Sequence, residues 1–356
     1  MPEVDLNTLA CPAPRTQYEH VLLGHGSGGR MTADLIQRTF LPLLDSHILA
    51  ALEDQATVSV DGLGGSGARL AFTTDAFVVR PIFFPGGDIG RLAIHGTVND
   101  LAVGGAVPLF LAAAFILEEG LRIEDLERIV RSMRAACDEA DVSLVTADTK
   151  VVDRGKGDQI FITTTGIGLV PAQCKLSIHA ARPGDRILVS GAIGDHGIAI
   201  MSVREGIEFE TVLESDTAPL VGLAQALLTA CPTIRAMRDP TRGGLSSALH
   251  ELADASHVGV KLTEAAIPLR GEVRAACEML GLDPLYVASE GKLITVVPAP
   301  DAERALAVMR SHPLGKNAAI IGEVVEEHPG MVTIRSSLGR ERIVTMLAAE
   351  QLPRIC

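Results

Sequence analysis

The chain has 356 residues, of which 47% are apolar and only 3% aromatic, with no tryptophan and a formal net charge of -13. That length exceeds what one core usually sustains, so two domains with aliphatic cores are expected. The acidic balance leaves no basic surplus to neutralise phosphates, which argues against nucleic-acid or anionic-membrane binding and leaves any anionic ligand to local features.

In chain order, residues 1–20 lack the basic-then-apolar pattern of a signal peptide. With Cys11 in a Cys-Pro-Ala-Pro run they read as a flexible arm. A glycine-rich turn, His25-Gly26-Ser27-Gly28-Gly29-Arg30, precedes a helix pattern that starts near Thr32. The longest uncharged run, residues 101–117, approaches membrane-spanning length, but Gly104, Gly105 and Pro108 break it into a helix end and a buried strand at 109–116. Between 122 and 140, Leu126, Ile129, Val130, Met133 and Cys137 recur at helical spacing and predict one buried face. Strand-like runs follow at 142–146 and 159–170. After Pro183 the order begins again, with strands at 186–189 and 292–297 and helices around 196–204, 219–229, 242–257 and 301–311. Two α/β units joined near 171–184 are expected, over 21–172 and 173–344, leaving 345–356 as a mobile tail.

That tail ends on Cys356, and a terminal thiol on a free segment can be loaded at one site and presented at another. Pro353 favours an extended approach. Arg354 would partly offset the adjacent α-carboxylate, which disfavours the thiolate. The other cysteines (Cys11, Cys137, Cys174, Cys231, Cys277) show neither CxxC nor His–Cys ligand spacing. Neither a zinc site nor a disulfide framework is indicated, and a reducing cytoplasm fits best.

Asp54, Asp75, Asp100 and Asp148 each sit at the end of an apolar run or inside a polar turn. Singly, each reads as an N-cap or turn residue. Converging in one cleft they would repel one another unless cations intervened, and hard oxygen ligands suit Mg²⁺ bridging to phosphates. Glycine turns supply the complementary half: residues 25–30, then Ser190–Gly197 with Gly194, Asp195 and His196, then Asp239-Pro240-Thr241-Arg242-Gly243-Gly244-Leu245. Their backbone N–H groups can cradle phosphate, although none is a P-loop or a dinucleotide fingerprint. Lys150 places a cation beside Asp148 that can neutralise charge in phosphoryl transfer, whereas Lys156 reads as a solvated loop residue.

The segments 25–30, 85–90, 96–101, 148–152, 194–197 and 239–245, with the ending Pro353-Arg354-Ile355-Cys356, together resemble the HypE family of NiFe-hydrogenase maturation proteins. The resemblance runs in order from Leu22 to Cys356. Two positions depart from the family pattern: Ser289 where Asn more usually precedes Glu-Gly, and Ala147 where Gly is common before Asp-Thr-Lys. The resemblance implies the two-domain α/β (α+β) architecture of the aminoimidazole ribonucleotide synthetase and selenophosphate synthetase superfamily, which also includes thiamine-monophosphate kinase. It implies dimerisation through the N-terminal sheets and ATP–Mg²⁺ in the cleft. Asp54, Asp75, Asp100 and Asp239, with Asp148 close by, match metal-binding carboxylates. Gly26, Ser27, Gly28, Gly29, Asn99, Thr149, Gly194 and Asp195 are the expected nucleotide contacts.

The implied reaction starts when a carbamoyltransferase partner, HypF, loads Cys356. ATP-dependent dehydration then turns the thiocarboxamide into a thiocyanate, which donates cyanide to iron on a HypC–HypD scaffold. Lys150 is assigned to charge stabilisation and Glu290 to proton removal, while His25 and His196 either orient the reacting groups or are turn histidines. Two other readings stand beside this one: a small-molecule ATP-dependent kinase or synthetase of the same superfamily, and an ATP-responsive carrier that performs no dehydration.

Overall fold

A computed structural model describes residues 20–59, 67–207, 213–347, 352 and 354–356. Cys11 and nearly all of the expected N-terminal arm lie outside the described residues. The strands fall into two main sheets, one from residues 56–170 and one from residues 186–344. The first has five strands in the order Ala56–Val58, Arg69–Phe77, Ile160–Val170, Val107–Glu118, Ser143–Val152, antiparallel except for the last pair.

Helix Ile89–Val103 lies behind this sheet and is buried almost all round, with only Arg91 and Asp100 reaching partial exposure. Such a helix needs cover on every side. The sheet and helix Ile123–Ala140 supply part of it, and helix Val221–Ala230 of the second unit packs on its C-terminal end. Asp88 caps its N-terminus, accepting from the N–H groups of Gly90 and Arg91 at 2.8 and 3.1 Å. The helix expected over 122–140 forms as Ile123–Ala140 and buries Ile129, Met133, Ala136, Cys137 and Ala140. Val130 is 48% exposed, because the buried stripe passes through Ile129 and Met133 and leaves its neighbour at the margin.

The second sheet has seven strands in the order Glu341–Val344, Val332–Arg335, Gly259–Thr263, Ala319–Val325, Arg186–Val189, Ile294–Val297, Ala236–Arg238. Helix Gly244–Ser256 packs on one face through Leu245, Leu249 and Leu252. Helices Val221–Ala230 and Ala302–Ser311 cover the other through Leu223, Leu227, Leu306 and Met309. Both units are therefore sheets with helical cover, in keeping with the α/β expectation. The run expected at 142–146 extends to Val152 as the exposed edge of the first sheet, so Asp148 and Lys150 sit on a strand rather than in a loop. No helix among the described residues is long and apolar enough to cross a membrane.

Candidate active site

Four aspartates converge from both units. Asp54 sits in the turn before strand Ala56–Val58, Asp75 near the end of strand Arg69–Phe77, Asp100 on helix Ile89–Val103, and Asp239 directly after strand Ala236–Arg238. Burial, then repulsion from Asp239, Asp75 and Asp54, holds the Asp100 carboxyl well above its usual range. Burial and Asp54 push Asp239 up to about 7. Burial pushes Asp54 up to about 6 against the pull of Arg238. Three of the four carboxylates have a protein partner: Asp54 pairs with Arg238 at 2.7 Å, Asp75 faces Arg242 at 3.5 Å, and Asp100 accepts from the Thr73 hydroxyl at 2.7 Å. Among the described residues no three such groups stand in a ready ligand arrangement. The donor set still fits a hard divalent cation, whose charge would relieve the repulsion that raises these groups.

The first glycine turn presses against this cluster. Gly28 adopts φ +71°, and a Cβ there would lie 2.8 Å from that of Arg242. A Cβ on Gly29 would fall 2.2 Å from the Leu347 carbonyl oxygen, to which the Arg30 N–H donates at 2.8 Å. A Cβ on Gly26 would meet nothing within 4 Å among the described residues. Ser27 donates its hydroxyl to the Gly24 carbonyl, and His25 accepts the Leu22 N–H at 2.9 Å, so both stabilise their own turn.

The tail was expected to be free; its described residues are docked. Ile355 bridges to Val79, Val78 N–H donates to the Cys356 carbonyl at 3.2 Å, and Arg80 N–H to that of Arg354 at 3.1 Å. Leu352 and Ile355 enter the first core. His196 Nε2 lies 2.6 Å from the Ile355 carbonyl, and its Nδ1 lies 2.7 Å from the Ser215 hydroxyl. Burial lowers the pKa of this imidazole, so in its neutral form it donates to Ile355 and accepts from Ser215. Arg354, which adopts a left-handed backbone conformation (φ +57°), pairs at 2.9 Å with Asp158 in the loop before strand Ile160–Val170.

Docking brings the Cys356 thiol to Glu290 and Arg242. Burial, followed by Glu290 and Asp75, raises the thiol well above its ordinary value, opposed by Arg242. Glu290 is itself only 2% exposed, and burial plus Asp239, Asp216 and Asp75 hold it well above the usual carboxylate range. Arg242 is in turn raised above its usual range, first by Cys356 and then by Asp75, Glu290 and Asp100. Thiol, carboxyl and guanidinium thus form one group beside the aspartates, able to exchange a proton and to stabilise negative charge.

Residues 52–170 match the family described as AIR synthase related protein, N-terminal domain, and residues 182–335 the corresponding C-terminal domain. A protein named carbamoyl dehydratase HypE from Cupriavidus necator is 54% identical over 334 residues, covering 94% of each chain.

The chain belongs to the HypE family.

Solved structures agree. A HypE–HypF complex superposes with a TM-score of 0.82 at 48% identity, over 88% of this chain and 99% of that one. A HypE in complex with ATP superposes at 0.79 and 48% identity, over 95% and 100%. A thiamine-monophosphate kinase-like neighbour, at 20% identity and a TM-score of 0.68, shares the fold.

Five of the expected site residues lie away from the aspartate cluster. Asp148 and Lys150 pair with each other at 2.9 Å, each 73% exposed, with Thr149 between them. Two strands separate them from Asp75 in the sheet. Asn99 is fully buried: its amide donates to the carbonyls of Ala218 and Glu290 at 3.0 and 3.1 Å and accepts the Leu220 N–H at 2.8 Å, a clamp between the units. Asp195 pairs with Arg270 at 3.1 Å on the tail side of the site, pushed up to about 6 by burial and Asp216. Of the two departures, Ser289 accepts the Gly194 N–H at 2.8 Å and so serves the second glycine turn, while Ala147 lies on the exposed edge strand.

Sequence reading missed the partners. Arg242 lay inside a quoted turn without a role, and Arg238, Asp216 and Lys292 carried no local signal. Their contacts span the chain, with Lys292 Nζ 2.8 Å from Asp216 and the Asp216 carboxylate accepting the Glu290 N–H at 3.0 Å.

Proposed function

We infer that this protein is the ATP-dependent carbamoyl dehydratase of hydrogenase maturation, converting a thiocarboxamide on Cys356 into a thiocyanate. The carrying observation is the docked tail, which sets Cys356 against Glu290 and Arg242 at the edge of the aspartate cluster. The thiocarboxamide oxygen is a poor leaving group, and phosphorylation by ATP makes it a good one. Overall, thiocarboxamide and ATP give thiocyanate, ADP and phosphate, with the oxygen departing on phosphate and both N–H hydrogens removed.

Glu290, buried beside Cys356, faces an amide carried on that sulfur and takes the N–H proton. A buried carboxyl of raised proton affinity is suited to this once ionised, because its basicity is correspondingly high. Arg242 stabilises charge developing on the oxygen and phosphate. Asp54, Asp75, Asp100 and Asp239 would hold Mg²⁺, which supplies charge neutralisation on the ATP phosphates when bound. The open side of the glycine turn at Gly26 is free to meet those phosphates.

Asp148 and Lys150 enter this reading through a second copy of the chain. The uncovered face and edge of the first sheet present Phe72, Phe110, Ile116, Leu144, Val145 and Val151 to solvent. That is more apolar surface than a monomer ordinarily leaves open. A homodimer burying this face would carry Lys150 toward the other copy's cleft. HypF, partner of the HypE in the solved complex, supplies the carbamoyl group, and a HypC–HypD scaffold accepts the cyanide. The chemistry needs a reduced thiol, hence a cytoplasmic setting.

Mass analysis of the C-terminal peptide after incubation with HypF and carbamoyl donor, with and without ATP, tests the reading. Loss of water from the Cys356 adduct only with ATP is expected. Cys356→Ala should carry no load, and Glu290→Gln should stall at the carboxamide. A small-molecule kinase or synthetase would instead retain ATP-dependent turnover of a free substrate in Cys356→Ala; the thiol's place beside Glu290 speaks against it.

A further inference from the structure

One segment that the reaction above does not use touches both of its working parts. Residues 213–220 run as an irregular strap, buried at Leu213, Thr217, Ala218 and Leu220. The Ser215 N–H donates to the Pro85 carbonyl at 2.8 Å. Its hydroxyl meets His196 Nδ1 at 2.7 Å, and the other nitrogen of that ring holds the Ile355 carbonyl, one residue before the reacting thiol. The next residue, Asp216, accepts the backbone N–H of Glu290 at 3.0 Å. Lys292 Nζ closes on the second Asp216 oxygen at 2.8 Å, with the two side chains only 12% and 4% exposed. The strap lies flat on the Glu290 turn: a Cβ on Gly291 would fall 1.8 Å from the Asp216 carbonyl oxygen.

We propose that Ser215 and Asp216 are positioning residues of the dehydration, fixing from one short segment both the base Glu290 and the stretch of tail that carries Cys356. The proposal rests on the reading of Glu290 as the base. A base works only within hydrogen-bond reach of the proton it removes, and misplacement by about 1 Å costs about a hundredfold in rate. Glu290 and Cys356 are 66 residues apart in sequence and lie on separate elements, so their separation depends on whatever ties those elements together. Ser215 and Asp216 supply that tie through adjacent residues. A buried ion pair is a costly way merely to fill space, since apolar side chains of the same volume do so at least as well. Here the Asp216 carboxylate sits under the Glu290 N–H, where only an acceptor serves, and Lys292 compensates its charge.

The test uses full-length chain whose Cys356 has been carbamoylated beforehand with cyanate, so that HypF is not needed. Three quantities are read: the single-turnover rate of dehydration with ATP, the ATP dissociation constant by calorimetry, and the alkylation rate of unmodified Cys356. Asp216→Leu, which removes the acceptor under the Glu290 N–H, and the paired Asp216→Leu/Lys292→Met, which also removes the stranded charge and so protects folding, should each slow dehydration by about ten- to a hundredfold. ATP affinity should stay within about twofold, a split that loss of structure would not produce. Ser215→Ala should slow dehydration about tenfold and speed alkylation as the tail loosens, and Ser215→Thr, which keeps the hydroxyl, should restore both. Parent dehydration rates in the paired variant, alongside a Glu290→Gln chain that stalls, would overturn the proposal. If Glu290→Gln itself turns over at the parent rate, the base reading falls. The strap then stands only if Ser215→Ala slows turnover and Ser215→Thr restores it, and is otherwise overturned.

Discussion

Asp100 carries a carboxyl that its surroundings strongly disfavour as an anion: burial acts first, then repulsion from three other aspartates, with only the Thr73 hydroxyl in its favour. A residue kept at such cost is explained by what binds there rather than by the fold. Asp100→Asn keeps the Thr73 contact, which needs only an oxygen, and removes the repelling charge. Without metal, the variant should gain about 0.5–2 kcal/mol in urea-unfolding stability. With Mg²⁺ present, its ATP affinity should fall at least about tenfold, since a charged oxygen ligand is lost. Loss on both measurements would make Asp100 a structural residue. At this scale the sequence exposed Cys356 and the aspartates, because each stood in a recognisable turn or terminus, whereas Glu290 came only with the family resemblance. Their tuning partners stayed hidden. Arg242 reaches Asp75, and Asp216 reaches Glu290, only through contacts made across the fold.

Elements were legible where periodicity decided them, as in helix Ile123–Ala140 and strand Arg186–Val189. Strand Ser143–Val152 ran past its expected end because parallel pairing with Val107–Glu118 continues through polar residues that a hydrophobic pattern does not register. The tail shows the same limit: nothing local in its last residues announces that Val78, Arg80 and His196 would hold their carbonyls. Docking and release of this segment must both occur if Cys356 is loaded by one protein and dehydrated in the cleft. Arg354–Asp158 is a half-exposed latch on it, with 40% and 22% of the two side chains exposed, so its worth is about 0.5 kcal/mol. Asp158→Ala should therefore raise the alkylation rate of Cys356 about twofold. His196→Leu, which removes a buried bond worth about 1 kcal/mol, should raise it about fivefold. Equal rates in all three chains would mean that the tail is held by the burial of Leu352 and Ile355 alone.

For the molecule as a whole, two helically covered sheets were expected from the alternation of apolar runs, and helix Ile89–Val103 is what joins them. Its near-complete burial places an ionisable ring where no charge is welcome. His95 is fully buried between the first sheet's helices and Thr217 of the second unit, and its Nε2 has no hydrogen-bond partner among the described residues. Burial, then Arg91, lowers its pKa from 6.5 to about 3. Glu139, at 3.7 Å, is already engaged by Arg91 at 2.6 Å. The unfolded chain therefore binds a proton here below pH 6.5 that the folded chain refuses until about pH 3. More protons on the unfolded state means that stability falls as pH drops through this window, by about 1.4 kcal/mol per unit from this group alone. The raised aspartates act in the opposite sense over part of the same range, so the wild-type pH profile mixes the two. His95→Leu leaves those aspartates in place and separates the contributions. Whatever it does to stability at pH 7.5, the further loss between pH 7.5 and pH 5, measured by urea unfolding, should be smaller than in the parent by about 2 kcal/mol. Parallel profiles would show that His95 is protonated in the folded chain, with Glu139 as its counter-ion.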